Sequence, residues 1–200
     1  IAKTCVQQGI FGPVRGVRIS EGARTTKTGT AARFHDNCTA GYGGILRDLG
    51  SHALDLVFQI SGAGQARPLS QRFVFDGPIE REVEAVLTFA GPKGEFDAEV
   101  FLSWVMDTDN VLEFGFDSCI LSISSRAEGE ARLLDLSRRP LGMTLQSTLR
   151  RATTTYQAFY LEWESFLAGV RSETATTFNA ASCLPTVQAV EALYESAGNQ

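Results

Sequence analysis

No apolar run in this 200-residue chain reaches the roughly 18 to 20 residues that a membrane-spanning helix needs. The opening Ile1-Ala2-Lys3-Thr4-Cys5 lacks the basic stretch and long apolar core of a signal peptide. It also lacks an initiator methionine and reads as the middle of a helix, so a piece of a longer protein is expected. The four cysteines, Cys5, Cys38, Cys119 and Cys183, are scattered and form no Cys-x-x-Cys pair. Only Cys38 lies near a histidine, His35, and such a pair supplies two ligands where a structural zinc needs four. No metal site is expected, and free thiols point to a reducing compartment, the cytoplasm. Excess positive charge is missing too: the net charge of −5 argues against a nucleic-acid partner.

What is present suits a globular domain. The chain is 44% hydrophobic and 20% charged, and it is long enough to bury a core without covalent staples. Residues 1–8 read as a helix tail that Gly9 ends in a left-handed conformation, with Gly12-Pro13 as a turn. Val17 and Ile19 alternate with polar residues in a short strand over residues 14–20. Residues 21–44 are rich in Gly, Thr, Ala, Asn and Arg without periodicity, a long loop of the kind that often carries function. Over residues 45–61, Ile45, Leu49, Leu54, Val57, Phe58 and Ile60 predict a helix closed by Ser61-Gly62.

Six strands are predicted next, at residues 69–75, 82–89, 98–105, 111–116, 119–125 and 131–136. The short turns between them cannot hold parallel crossovers, so antiparallel pairing dominates. Residues 98–105 carry apolar side chains on both faces, Ala98, Val100, Leu102 and Trp104 against Phe101 and Val105, which predicts a sheet covered on both sides. Two helices finish the chain, over residues 155–170 and about 181–197, the second compatible with Pro185 only in its first turn. The expected fold is α+β: one large, predominantly antiparallel open sheet with helices packed on one face, forming a single domain over residues 1–200.

Chemistry points to the helix at 45–61. Asp48 stands four residues before His52, one turn away, and Asp55 three residues after. A carboxylate beside an imidazole orients it and suits it to acid–base work, although an i,i+4 Asp–His pair is also an ordinary solvated ion pair. The pair follows Gly43-Gly44, where backbone can approach a ligand closely. Arg24, Lys27 and Arg33 in the loop could meet an anionic substrate or serve as plain surface charges.

The segment Gly43-Gly44-Ile45-Leu46-Arg47-Asp48-Leu49-Gly50-Ser51-His52-Ala53-Leu54-Asp55 resembles the GG-x-x-x-D-x-G-x-H-x-x-D stretch of the glucose–fructose oxidoreductase / inositol dehydrogenase / MocA family. Gly9-Ile10-Phe11-Gly12-Pro13-Val14 is similar to that family's entry into its second domain, with Phe11 at an aliphatic position. The ending, from Tyr156 through Phe166 to Pro185 and Ala197, is similar in order. The resemblance implies the C-terminal substrate-binding and oligomerisation domain of an enzyme that oxidises or reduces a sugar, cyclitol or related polyol with NAD or NADP. It implies His52 as proton acceptor for a substrate hydroxyl and Asp48 as its holder or a substrate contact; Gly43, Gly44, Arg24 and Arg33 are the substrate-binding candidates that the residues themselves offer. The family's GxGxxG fingerprint and Glu-Lys-Pro lysine are absent, the only lysines being Lys3, Lys27 and Lys93. A missing N-terminal Rossmann domain is therefore the expected partner, with the chain alone inactive and paired as a homodimer or homotetramer through the sheet. The alternative is a non-catalytic sugar- or nucleotide-sensing or dimerisation domain of a related regulator.

Overall fold

The computed structural model describes residues 2–24, 44–125, 131–144, 155–172 and 179–198. In chain order these form α1 (Ala2–Gln8), β1 (Gly16–Gly22), a π-helical turn (Leu46–Gly50) running into α2 (Ser51–Ser61), β2 (Gln65–Asp76), β3 (Ile79–Gly91), β4 (Gly94–Ser103), β5 (Val111–Gly115), β6 (Ile120–Ser124), β7 (Ala131–Leu134), β8 (Pro140–Thr144), α3 (Thr155–Ser172) and α4 (Ala180–Gly198). Gly9 ends α1 with φ 72°. The strands make one eight-stranded sheet of order β2-β3-β4-β1-β5-β6-β7-β8. All neighbours pair antiparallel except β1 and β4, which run parallel. This is the expected α+β layout, with β1 inserted into the middle of a sheet otherwise built from later residues.

Alternation sets the two faces. On β1 Val17, Ile19 and Glu21 point one way, and in register beside them lie Ala98, Val100 and Leu102 of β4. That face is buried under Ala53, Leu54, Val57 and Phe58 of α2 and Ala189, Val190 and Leu193 of α4. Phe89 packs at its centre, 4.9 Å from the ring of Phe58 and 5.5 Å from that of Phe96. The opposite face carries ion pairs: Arg18 with Glu113 and Asp109, Arg138 with Glu113, and Arg72 with Glu84. Within this chain the helices cover one face of β4 and not the other. Ala98, Val100, Leu102 and Trp104 are buried, but Glu99 and Val105 are exposed and Phe101 is half-buried, so the second face is open and mostly charged.

Three local expectations also change. β2 starts at Gln65 and runs through Pro68, because an edge strand can spare the missing N–H and a bulge between Pro68 and Ser70 absorbs the misfit. β8, beginning at Pro140, is an added short edge strand. α4 begins at Ala180, which puts Pro185 beyond the first turn. A reciprocal cap secures that start: Asn179 Oδ1 accepts the Ser182 N–H at 3.0 Å and Ser182 Oγ accepts the Asn179 N–H at 3.2 Å. Finally, the aromatic stripe of α3 is not covered by the described residues, with Tyr156 88% and Trp163 62% exposed.

Candidate active site

The helix bearing Asp48 and His52 is held at its start by a buried carboxylate from the sheet. Glu80, at the beginning of β3, is 1% exposed. Its Oε1 accepts the Gly44 N–H at 2.7 Å, the Leu46 N–H at 3.2 Å and the hydroxyl of Tyr194. Free N–H groups at a helix start attract negative charge, and here the protein supplies it internally. Burial, then the adjacent Glu80 carboxylate, push the Tyr194 phenol above its ordinary range. Arg47 covers the Tyr194 ring at 5.2 Å and pairs with Glu191 at 3.0 Å, so α4 and the helix start are tied twice.

Gly44 makes this clamp possible. A Cβ there would lie 2.2 Å from the Glu80 carbonyl oxygen and 2.7 Å from Ile79 Cγ2. Its N–H goes to Glu80 and its carbonyl accepts the Asp48 N–H at 3.1 Å. The close approach that a glycine permits is made here to the protein's own β3. Gly43 and Arg33 lie outside the described residues, as do Lys27, Phe34, His35 and Cys38.

The regular helix expected over residues 45–61 instead opens as the π turn Leu46–Gly50. Such widened turns recur at functional sites. At its end Gly50 seats Leu102 of β4, since a Cβ there would come within 2.8 Å of both Leu102 and Leu46. Beyond it His52 is exposed, while Asp48 is half-buried. Among the described residues no hydrogen bond or ion pair joins the two side chains. Asp55 accepts a hydrogen bond from Thr186 Oγ1 at 3.3 Å and so links α2 to α4, a structural role.

The end of β1 buries a further carboxyl on the helix-facing side of the sheet. Glu21 is 6% exposed. Burial pushes its carboxyl above the ordinary range. Sequence reasoning missed it by ending the strand at Ser20. Extending the alternation of Val17 and Ile19 by one step would have placed a carboxyl on the core-facing side, the signal for it. Arg24 follows on the same rim, exposed, its N–H bonded to Asp107 Oδ1 at 3.1 Å and its Nε to the Val105 carbonyl at 3.3 Å. No three His, Cys, Asp or Glu side chains among the described residues are placed to hold a metal ion.

With this geometry in view, solved structures provide a comparison. Levoglucosan dehydrogenase in complex with NADH superimposes with a TM-score of 0.76 at 13% identity, over 99% of this chain and 60% of its own. The fold is shared. An oxidoreductase from Agrobacterium radiobacter in complex with NAD+, L-tartaric acid and magnesium matches at 0.69 and 17% identity, over 99% of this chain and 58% of its own. An oxidoreductase from Sinorhizobium meliloti matches at 0.66 and 13% identity, again over 99% and 58%. This chain thus spans about three-fifths of the length of these structures. No protein-family model and no curated protein matches its sequence.

Proposed function

We propose that this chain is the substrate-side domain of an NAD(P)-dependent oxidoreductase that oxidises or reduces a sugar, cyclitol or related polyol. The observation that carries the reading is an exposed imidazole, His52, on a helix whose start is locked by Glu80. A half-buried Asp48 lies one turn before it. Oxidising an alcohol releases a proton from the substrate hydroxyl, and His52 is the group that takes it. Asp48 holds a neighbouring hydroxyl, and Arg24, with Arg33 from the loop, meets any acidic group on the substrate. The resemblance of residues 43–55 to the dehydrogenase segment supports these roles, as does a fold shared with levoglucosan dehydrogenase.

The cofactor, NAD or NADP, would be held by a separate N-terminal Rossmann domain, in line with the lack of a GxGxxG fingerprint in this sequence. The three-fifths coverage of the matched structures supports that partner, and the exposed aromatic stripe of α3 is a surface it could cover. Without that domain the chain is inactive. The open face of the sheet is the surface for a homodimer or homotetramer, and the cytoplasm is the proposed location.

The test uses the full-length protein and a panel of polyols and sugars, following nicotinamide absorbance. His52→Ala is expected to cut kcat by roughly 10²–10⁴-fold, the usual contribution of a general acid–base group, while cofactor affinity stays unchanged. Unchanged turnover would eliminate His52 as the proton acceptor.

A further inference from the structure

We propose that Glu80 is a positioning residue for proton transfer: it pins the start of the π turn to the sheet and so sets the direction in which Asp48 and His52 face. This role deepens the reading of His52 as the proton acceptor and rests on it. The helix start has no cap of its own, since Ile45 occupies the N-cap position and offers no side-chain hydrogen bond. Helices ordinarily place a Ser, Thr, Asp or Asn there. Here the acceptor lies 36 residues beyond Gly44 and 34 beyond Leu46, and it is a carboxylate only 1% exposed. Burying that group costs more than a local hydroxyl would. A local cap moves with its helix, whereas a cap from β3 ties the helix to the sheet.

β3 breaks its own alternation to deliver the carboxylate. Val83, Ala85, Leu87 and Phe89 are buried on the helix side, so strict alternation would turn Arg81 inward and Glu80 outward. A register shift prevents this: Val74 of β2 pairs with Glu82 and Phe75 with Glu80, which leaves Arg81 as the extra residue. That one-residue bulge returns Glu80 to the helix side. Bulges recur beside active sites, where they re-aim a side chain. Tyr194 of α4 then holds the same oxygen, Oε1, that receives the two N–H groups.

From Glu80 the constraint reaches both site residues through hydrogen bonds and packing. Gly44 gives its N–H to Glu80, and its carbonyl accepts the Asp48 N–H at 3.1 Å. Leu46, held by Glu80 at 3.2 Å, opens the π turn. Ser51, which precedes His52, shares its hydroxyl proton between the carbonyls of Arg47 at 2.8 Å and Asp48 at 3.1 Å. At the far end of the turn Gly50 leaves room for Leu102 of β4. The turn is thus fixed at its start by a carboxylate and at its end by packing. Releasing the first anchor lets the turn shift about the second, and Asp48 and His52 shift with it.

Glu80→Gln is nearly isosteric and keeps an oxygen in place but removes its charge. In proton NMR of the full 200-residue chain, the Gly44 and Leu46 amides should move upfield as their acceptor weakens. The Asp48 amide and the His52 ring protons should move as well, although neither residue is hydrogen-bonded to Glu80. Asp48 and His52 signals at their wild-type positions overturn the proposal, because the cap then acts only locally. In the full-length protein Glu80→Gln should lower kcat by roughly 10- to 100-fold, the scale of a misplaced catalytic group, and leave cofactor KM unchanged. Leu133→Ala, which opens a cavity under β7 away from the helix start, is the stability control. It should lower the melting temperature without lowering kcat well below that temperature. A wild-type kcat in Glu80→Gln overturns the proposal, and so does an equal fall in Leu133→Ala, which assigns the effect to stability alone. Should Glu80→Gln fail to fold, Gly44→Ala displaces the same start from the helix side, and the same NMR and kcat outcomes decide. The two readings fail separately. Full turnover in His52→Ala removes the enzymatic assignment whatever Glu80 does; an essential His52 beside a Glu80→Gln enzyme of wild-type kcat removes only the positioning role.

Discussion

Tyr194→Phe deletes a single oxygen from the clamp at the start of the active-site helix. In the native protein that hydroxyl donates to Glu80, whose carboxylate is 1% exposed and also receives the N–H groups of Gly44 at 2.7 Å and Leu46 at 3.2 Å. The ring contacts survive the substitution: Phe73 lies 5.8 Å away and Arg47 5.2 Å. What is lost is one hydrogen bond to a charged acceptor, about 1.5–3 kcal/mol. Urea unfolding should show a lower midpoint at unchanged slope, since the surface exposed on unfolding is the same. The pH dependence has a definite sign. Because burial and Glu80 raise the phenol in the folded state, the native protein holds that proton more tightly than the unfolded chain. The contribution is fully present below the unfolded value of about 10 and is lost as pH rises above it. The gap between wild type and Tyr194→Phe should thus be constant near neutrality and narrow above about pH 10. A neutral-pH difference below about 0.5 kcal/mol would refute the clamp as an energetic element.

Three other perturbations follow from the same structure. Gly44→Ala places a methyl 2.2 Å from the Glu80 carbonyl; it should lower stability by about 1–3 kcal/mol, and a wild-type melting temperature would contradict the close approach. Glu21→Gln should stabilise the chain at pH 7, because the raised folded-state titration of Glu21 means that stability declines as pH rises above about 4.3. Near pH 4 the advantage should vanish, and thermal melts at the two pH values check it. Of the two tryptophans, Trp163 is 62% exposed and Trp104 is 3% exposed. Acrylamide should quench the first readily in this chain and poorly in the full-length protein, where a covering domain should also shift its emission to the blue; equal quenching in both would remove α3 from that contact.

Helix and strand periods are local properties, and they were largely legible. The spacing from Ile45 to Ile60 marked the central helix, and alternation with short turns marked the antiparallel strands. Pro68 and Pro185 misled local reading, because a proline is tolerated where an edge strand spares its N–H or a strong cap offsets its loss. The candidate site divided the same way. Asp48 and His52 were visible as a spacing, and Arg24 as a loop charge. Glu21 was missed only by ending its strand one residue early, whereas Glu80 and Tyr194 meet the helix start across separations of tens of residues or more that only folding closes.

The amino-acid order by itself determined the periodic elements, the mostly antiparallel pairing imposed by short turns, and the helix that carries the imidazole. Tertiary structure alone decided that β1 lies between β4 and β5, because strand order depends on long-range pairing that no local pattern encodes. From that insertion came the rest. It buried a carboxyl, Glu21, on the helix-facing side of the sheet, and it left the opposite face open and charged.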